Sequence, residues 1–523
     1  MKLILFATTI FFGLNLRAQS IQSASKKEVS TDKKRDWHNL DYKSDKFYGT
    51  STNRTYAELI GDQKPKKKIV VAVIDSGVDF EHEDLKTHLW INRIEIALNG
   101  KDDDGNGYID DVHGWNFLID ENNEDIQFDN LEATRVLRLS KQIKESNGEY
   151  PDWLTNEVIS QAVEIYNENV EEYKGMEQMA NFYVALDSIL TVETGTESYT
   201  FDQALALPHD EDPMKSIHRV IKAFSLGGIT QSDLIEMYET SEKFEKYYLN
   251  YDFVARPDFD VNEPYGNNNY EGPDAIHGTH VAGLIAADRN NELGARGIAS
   301  DCVEIMILRA VPDGDERDED VASAIRYAVD NGANIINMSF GKGLSPNKEL
   351  VDEAIRYASE NNVLIIHAAG NDSENNDEVA NFPNPIAKSG YRSPTYMTIG
   401  ASSISRKKDL VANFSNFGQQ EVDLFSPGHD VYSTVPFNEY KLLSGTSMAA
   451  PVASGVAALV WAYHPDLSAV QLKEILSESS VDLSKKKVKR PSDGKKVKFG
   501  TLSRTGGIIN AYNAFKLADT YSN

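Results

Sequence analysis

Four near-continuous apolar runs, separated by amphipathic stretches, constrain the fold of this chain more than any other feature. They are IVVAVIDSG at 69–77, CVEIMILRAV at 302–311, ANIINMSF at 333–340 and NVLIIHAAG at 362–370. A strand that is apolar at almost every position has both faces buried, whereas one lying on a single core alternates. Between the runs, VASAIRYAV (321–329) and ELVDEAIRYASE (349–360) repeat apolar residues at helical spacing. Such alternation gives an α/β fold with a mostly parallel sheet covered on both sides.

The pattern occupies two blocks, 36–119 and 263–523. The segment between them, 120–262, is acidic and reads as helix with little sign of strands. DNLEATRVLRLSKQI (129–143) forms one helix on this reading, and Pro151 opens a second, long one, with proline in its first turn. Thr200 and Gln203 fit a capping box ahead of the next helix. MKSIHRVIKAF (214–224) and SDLIEMYETSEKFEKYYL (232–249) supply two more. The expectation is an inserted all-α subdomain. With 523 residues, the chain can build two substantial cores.

Residues 1–18 read as a signal peptide: Lys2 before an apolar stretch from Leu3 to Leu16, then Ala18 before a cut at Gln19. A short extension, 19–35, follows, in which a prodomain of ordinary size does not fit. Beyond it no run of eighteen uncharged apolar residues is evident, so no integral membrane segment is expected once the signal is removed. The destination is export, secreted or periplasmic. A net charge of −28 argues against nucleic acid or an anionic membrane as partner, since both need a basic face. The lysines between Lys485 and Lys498 are broken by Pro491, Asp493 and Gly494, as in a solvated hairpin. The single cysteine, Cys302, excludes an intramolecular disulfide and reads as a core residue.

Four segments set a reactive group beside glycine or other small residues. Asp75 ends the strand in VAVIDSGVD, and His277 opens a small-residue helix in HGTHVAG. Asn371 follows a strand in IIHAAGND, and Ser447 stands at a helix start in SGTSMAAP. Each alone is a modest signal; together, on an α/β chain, they point to nucleophilic acyl transfer. His280 and His367 read as packed structural histidines. In KDDDGNGYIDD, Asp102, Asp104, Asn106 and Asp110 repeat oxygen donors about a bend at Gly107, like the first half of an EF-hand loop. The twelfth position is His113 instead of glutamate, so two readings stand: a looser calcium loop, with Asp111 as an extra ligand, or an acidic solvated turn.

The order Asp, His, Asn, Ser and the segments DSGVDFEHEDL, HGTHVAGLIAA, HAAGND and GTSMAAPVASGVAAL resemble the subtilisin family of serine peptidases. The likeness also takes in NIINMSFG and GGIINAYNA, and leaves out the insertion. It implies a subtilisin-like three-layer fold and a secreted serine endopeptidase acting on polypeptides, with no cofactor for catalysis. Ser447 would be the nucleophile, His277 the general base and acid, Asp75 its orienting partner and Asn371 an oxyanion donor. Ser339, Phe340 and Gly341 would pair with an extended substrate. Gly341 with Ala368, Ala369 and Gly370 would line the pocket for an uncharged side chain before the scissile bond. Asp84 and Asn291 stand where the family binds a structural calcium. An inactive peptide-binding member would have lost a triad residue, and an ester hydrolase would carry a G-x-S-x-G elbow; neither feature is present. A monomer is expected.

Overall fold

The computed structural model describes residues 34–196, 198–208, 214–227 and 229–521; the expected signal at 1–18 and nearly all of the extension at 19–35 lie outside the described residues. The chain divides into two compact units, one holding 160–253 and the other the remaining described residues. Both division points fall inside the segment 120–262.

The larger unit is built on a nine-stranded sheet. Its strands are β1 (Ile69–Asp75), β2 (Gly114–Asn116), β3 (Val303–Arg309), β4 (Ile335–Met338), β5 (Leu364–Ala368), β6 (Tyr396–Ser402) and β7 (Leu424–Pro427). Two hairpins, β8–β9 (Val431–Val435, Glu439–Leu443) and β11–β12 (Lys487–Lys489, Lys496–Lys498), lie outside it, and β10 (Val481–Asp482) and β13 (Gly507–Ile508) complete it. The order is β10-β13-β7-β6-β5-β4-β1-β3-β2, parallel except where β10 meets β13. β1 is central, pairing Ile69 with Val303 of β3 on one side and Val71 with Ile335 of β4 on the other. The β11–β12 hairpin falls within the lysine-rich stretch, as its Pro-Asp-Gly punctuation anticipates.

The pleat sorts each strand's side chains between two cores. Val71 and Val73 of β1 join Ile305, Ile307 and Leu364 on one face, while Ala72 and Ile74 join Met306, Leu308 and Ile336 on the other. The larger unit also carries α1 (Glu132–Ser146), and a second helix, α2 (Asn156–Thr194), begins in it. The long helix therefore starts after Pro151, which opens a turn that receives Leu154 N–H; the Thr155 hydroxyl then accepts Val158 N–H at the helix start. The smaller unit holds most of α2, with α3 (Phe201–Leu205), α4 (Met214–Gly227) and α5 (Gln231–Lys243). Its core joins Leu186 and Leu190 to Ile217, Ile221 and Leu234 at four-residue helical spacing. Thr200–Gln203 is a capping box, and Thr230–Asp233 is another.

Back in the larger unit, α6 (Ile276–Ala286) covers the first sheet face, and α7 (Asp318–Asp330) with α8 (Lys348–Glu360) covers the second. The first face also receives α9 (Thr446–Tyr463), α10 (Ala469–Glu478) and α11 (Ala511–Ala518). α9 corrects the sequence reading: it is long and apolar enough to cross a membrane by length and composition, yet 94% of it is buried inside the molecule. Its serine and threonine residues disguise the apolar run. Cys302 is buried in a 3₁₀ turn one residue before β3.

Candidate active site

Asp75 is the last residue of β1, buried where the strand runs out. Its Oδ1 accepts Ser76 N–H at 2.8 Å and His277 Nδ1 at 2.7 Å; Oδ2 is buried without a hydrogen-bond partner among the described residues. His277, in the first turn of α6, can come this close because residue 278 has no side chain. A Cβ there would lie 2.1 Å from the Gly77 carbonyl oxygen. A carboxylate only accepts, so Nδ1 carries the proton and Nε2 is left as a base. Burial disfavours the charged ring, but the Asp75 charge and hydrogen bond, with Asp274 adding, outweigh it and raise His277 above its ordinary 6.5.

Ser447 lies in the first turn of α9, where backbone N–H groups lack helical partners. Its hydroxyl donates to the Ser339 carbonyl oxygen at 2.9 Å, and the Ser339 hydroxyl donates to the Ser447 carbonyl oxygen at 2.8 Å. Asn371 follows β5 by three residues. Thr446 orients its amide, since the Thr446 N–H and hydroxyl reach Oδ1 at 2.8 and 3.0 Å. A Cβ on Gly445 would be 3.6 Å from Asn371 Nδ2 and 3.5 Å from Ser447 N, so both donors border the space that glycine leaves open. Two convergent donors at the N-terminus of an 18-residue helix suit a developing negative charge. The orienting role of Thr446 escaped the sequence reading, although it is the neighbour of Ser447 in the same motif.

Ser339, Phe340 and Gly341 leave β4 toward Ser447, and His367 Nε2 donates to the Phe340 carbonyl oxygen at 2.7 Å. Burial pushes His367 down to about 4, and pushes His280, whose Nε2 reaches the Lys441 carbonyl at 3.1 Å, down to about 3. Both rings stay neutral donors within the fold. Past β5, the Ala369 carbonyl accepts Asn376 Nδ2 at 2.9 Å and Asn381 Nδ2 at 3.1 Å. Asn381 also crowds Gly341, where a Cβ would meet its Oδ1 at 2.7 Å. Gly370, at φ +105°, faces the Asn416 amide just as closely. Neither Asn376 nor Asn381 was singled out from sequence; both return from a loop whose only hint is its run of asparagines. Behind them, His367 and Asn381 line a cavity of about 360 Å³ together with Lys348, Glu378 and Glu421.

The acidic loop gathers a different set from the one its spacing suggests. Carboxylate oxygens of Glu95, Asp104 and Asp111 all lie within 4.8 Å of one another. Asp102 instead accepts the N–H groups of Gly105, Asn106 and Gly107, and Asp110 those of Asn99 and Gly100. Asn106 stays close, its amide reaching Asp104 and Asp111. Burial pushes Asp111 up to about 6, against hydrogen bonds from Tyr327, Asn106 and Asn92. An all-oxygen set with two such carboxylates beside Glu95 fits a hard divalent cation. Asp84 and Asn291 do meet, with Asn291 Nδ2 donating to buried Asp84 Oδ1 at 2.6 Å, while Asp288 N–H and Tyr440 Oη reach the same carboxylate.

The sequence profile of the subtilase family matches residues 66–500. A cell wall-associated protease of Bacillus subtilis (strain 168) is 37% identical over 221 residues, 42% of this chain and 23% of that protein. A halolysin-like extracellular serine protease, Nep, of Natrialba magadii is 38% identical over 234 residues, 45% of this chain and 38% of that protein. The chain thus spans less than two fifths of the length of either relative. Among solved structures, sphericase aligns with 47% of this chain and 81% of its own at 30% identity, with a TM-score of 0.39. With a profile match over most of its length, and with the parallel sheet and the Asp75–His277 pair described above, the chain belongs to the subtilase family.

Proposed function

We propose that this chain is an exported serine endopeptidase that hydrolyses polypeptides through an acyl-enzyme on Ser447. The 2.7 Å hydrogen bond between His277 Nδ1 and buried Asp75 carries the reading. It leaves Nε2 free to take a proton, in a fold that holds Ser447 at a helix N-terminus. In the first step the Ser447 proton leaves Ser339 for His277 Nε2 as Oγ attacks the peptide carbonyl. Asp75 holds the tautomer and stabilises the imidazolium. Asn371 Nδ2 and the Ser447 N–H receive the oxyanion. His277 then gives its proton to the leaving amine, and water releases the acyl group by the reverse sequence.

Ser339 to Gly341 bind the substrate as an added strand, and Gly341 with Ala368–Gly370 lines an uncharged pocket before the scissile bond. Residues 1–18 act as signal, 19–35 as a short extension, 36–119 and 263–523 as the catalytic domain, and 120–262 as the insertion. The two relatives, one a cell wall-associated and one an extracellular protease, support export. Calcium, where bound, is structural: Glu95, Asp104 and Asp111 hold it, and Asp84 with Asn291 offers a second position. Chelation then lowers Tm without altering the chemistry at Ser447.

Fluorophosphonate labelling of the purified protein, with casein digestion alongside, tests this. Both signals present in wild type and lost in Ser447→Ala support the reading. A folded wild type that neither labels nor digests casein overturns it.

A further inference from the structure

Lys342 directly follows the segment assigned above to substrate pairing, yet its ammonium is buried. Nζ lies 2.6 Å from Glu132 Oε2, 2.6 Å from the Glu316 carbonyl oxygen and 3.0 Å from Asp318 Oδ1, and the side chain is 3% exposed. Burial works against the charge, but Asp318 and Glu132 more than compensate and hold the ammonium firmly protonated. Such a group is fixed in place, because removing either partner would strand a buried ion.

The backbone alternation defines the position of this ion. Lys342 N–H and C=O are both taken by Phe382, at 3.0 and 2.9 Å. Neighbouring residues of an extended chain turn their polar groups to opposite sides, so Ser339 and Gly341 point theirs away from Phe382. Ser339 bears this out, since its carbonyl oxygen accepts the Ser447 hydroxyl. A substrate strand therefore has two rungs, at Ser339 and Gly341, about 7 Å apart at the usual rise. Just beyond the second rung the Lys342 side chain reaches across to residue 316.

The facing segment is already occupied there. Asp313 pairs with the chain's own Gln127 and Asp129: Asp313 N–H donates to Gln127 O at 2.7 Å, and Asp129 N–H to Asp313 O at 3.0 Å. The Asp315 carbonyl accepts Arg135 Nη1 at 2.9 Å, and the Glu316 carbonyl accepts Lys342. Arg135 in turn pairs with Glu132 at 2.7 Å, and the Glu132 N–H donates to Asp315 Oδ2 at 2.7 Å. The start of α1 is thus bolted to both walls, and the acceptors a longer peptide would need are spent within the protein.

Resting on the peptidase reading above, we propose that Lys342 and Glu132 bar the acyl-side end of the cleft, so that only about three residues before the scissile bond contribute to substrate recognition. This makes them specificity-determining residues, remote from the reacting atoms. The substrates favoured are peptides cut close to an N-terminus, or loops that present a short extended segment.

The test is a series of N-acetylated peptides with a common leaving group and one to six residues before the bond. For wild type, kcat/KM should climb up to the third residue and then stay level within about twofold, because remote contacts raise the rate only where the site can reach them. A further rise of about tenfold or more between three and five residues overturns the proposal. In Lys342→Ser combined with Glu132→Ser, the plateau should extend to the fourth and fifth residues, with fluorophosphonate labelling of Ser447 retained. If that variant does not fold, the wild-type series decides alone. Hydrolysis at no length overturns the peptidase reading, and this inference with it.

Discussion

At the scale of single residues, the site turns on which proton sits where. Thr446 turns the Asn371 amide nitrogen toward the gap beside Gly445. Asn371→Ala should therefore lower kcat by about 10²–10³-fold with KM little changed, a magnitude carried over from subtilisin itself. His277 is raised above 6.5, and its proposed role as base needs the neutral ring. Activity should then fall as pH drops through that raised value, so the acidic limb of a kcat/KM profile has its midpoint above 6.5. Asp75→Asn should move the limb downward and cost about 10⁴-fold in kcat, because the amide favours the wrong tautomer. The stability linkage runs the opposite way: the Asp75–His277 pair stabilises the fold below the ordinary histidine value and loses that contribution as pH rises through the raised one. The positions of Asp75, His277, Asn371 and Ser447 were legible because each lies within a few residues of the end of an apolar element. Glu95 was not. It stands outside the Asp-rich repeat, and only the folded loop brings it to Asp104 and Asp111.

At the scale of elements, one glycine governs how α6 meets β1. The Gly278→Ala methyl would lie 2.1 Å from the Gly77 carbonyl oxygen and 3.2 Å from the Asp75 Cβ, and neither backbone can yield without moving His277. We expect a loss of about 1–3 kcal/mol, seen as a lower Tm, together with a fall in kcat. Most elements were legible from periodicity alone, since the apolar strands have both faces buried and the helices one. Two failures have local causes. The long helix begins at Asn156 because Thr155, not Pro151, satisfies a free N–H. α9 hid its apolar length because hydroxyl residues such as Ser454, whose side chain donates to Asn337 Oδ1, interrupt the pattern while being buried.

At the scale of the whole molecule, buried acids set the pH response of stability. Burial pushes Glu316 up to about 8 and Glu319 up to about 7, with Asp320 adding to the latter. Between the ordinary glutamate value of 4.5 and these, the folded chain holds protons that the unfolded chain has released. The contribution of these two acids to stability therefore falls as pH rises across that window. Glu132 runs the other way: Arg135 and Lys342 overcome its burial and hold it down to about 2, so its contribution is lost only as pH falls toward that value. Glu316→Gln should accordingly flatten the decline of Tm between about pH 5 and pH 8, and an unchanged slope would place the titrating group elsewhere. The central place of β1 has a bearing on synthesis as well. Both of its neighbours, β3 and β4, lie beyond residue 300, so a nascent chain carries IVVAVID with neither edge paired while some 230 further residues are added. At about 5–20 residues per second that interval lasts on the order of 10–50 s, during which a strand with every mark of an aggregation seed depends on a holding chaperone or on solvated neighbours such as Lys66, Lys67 and Lys68.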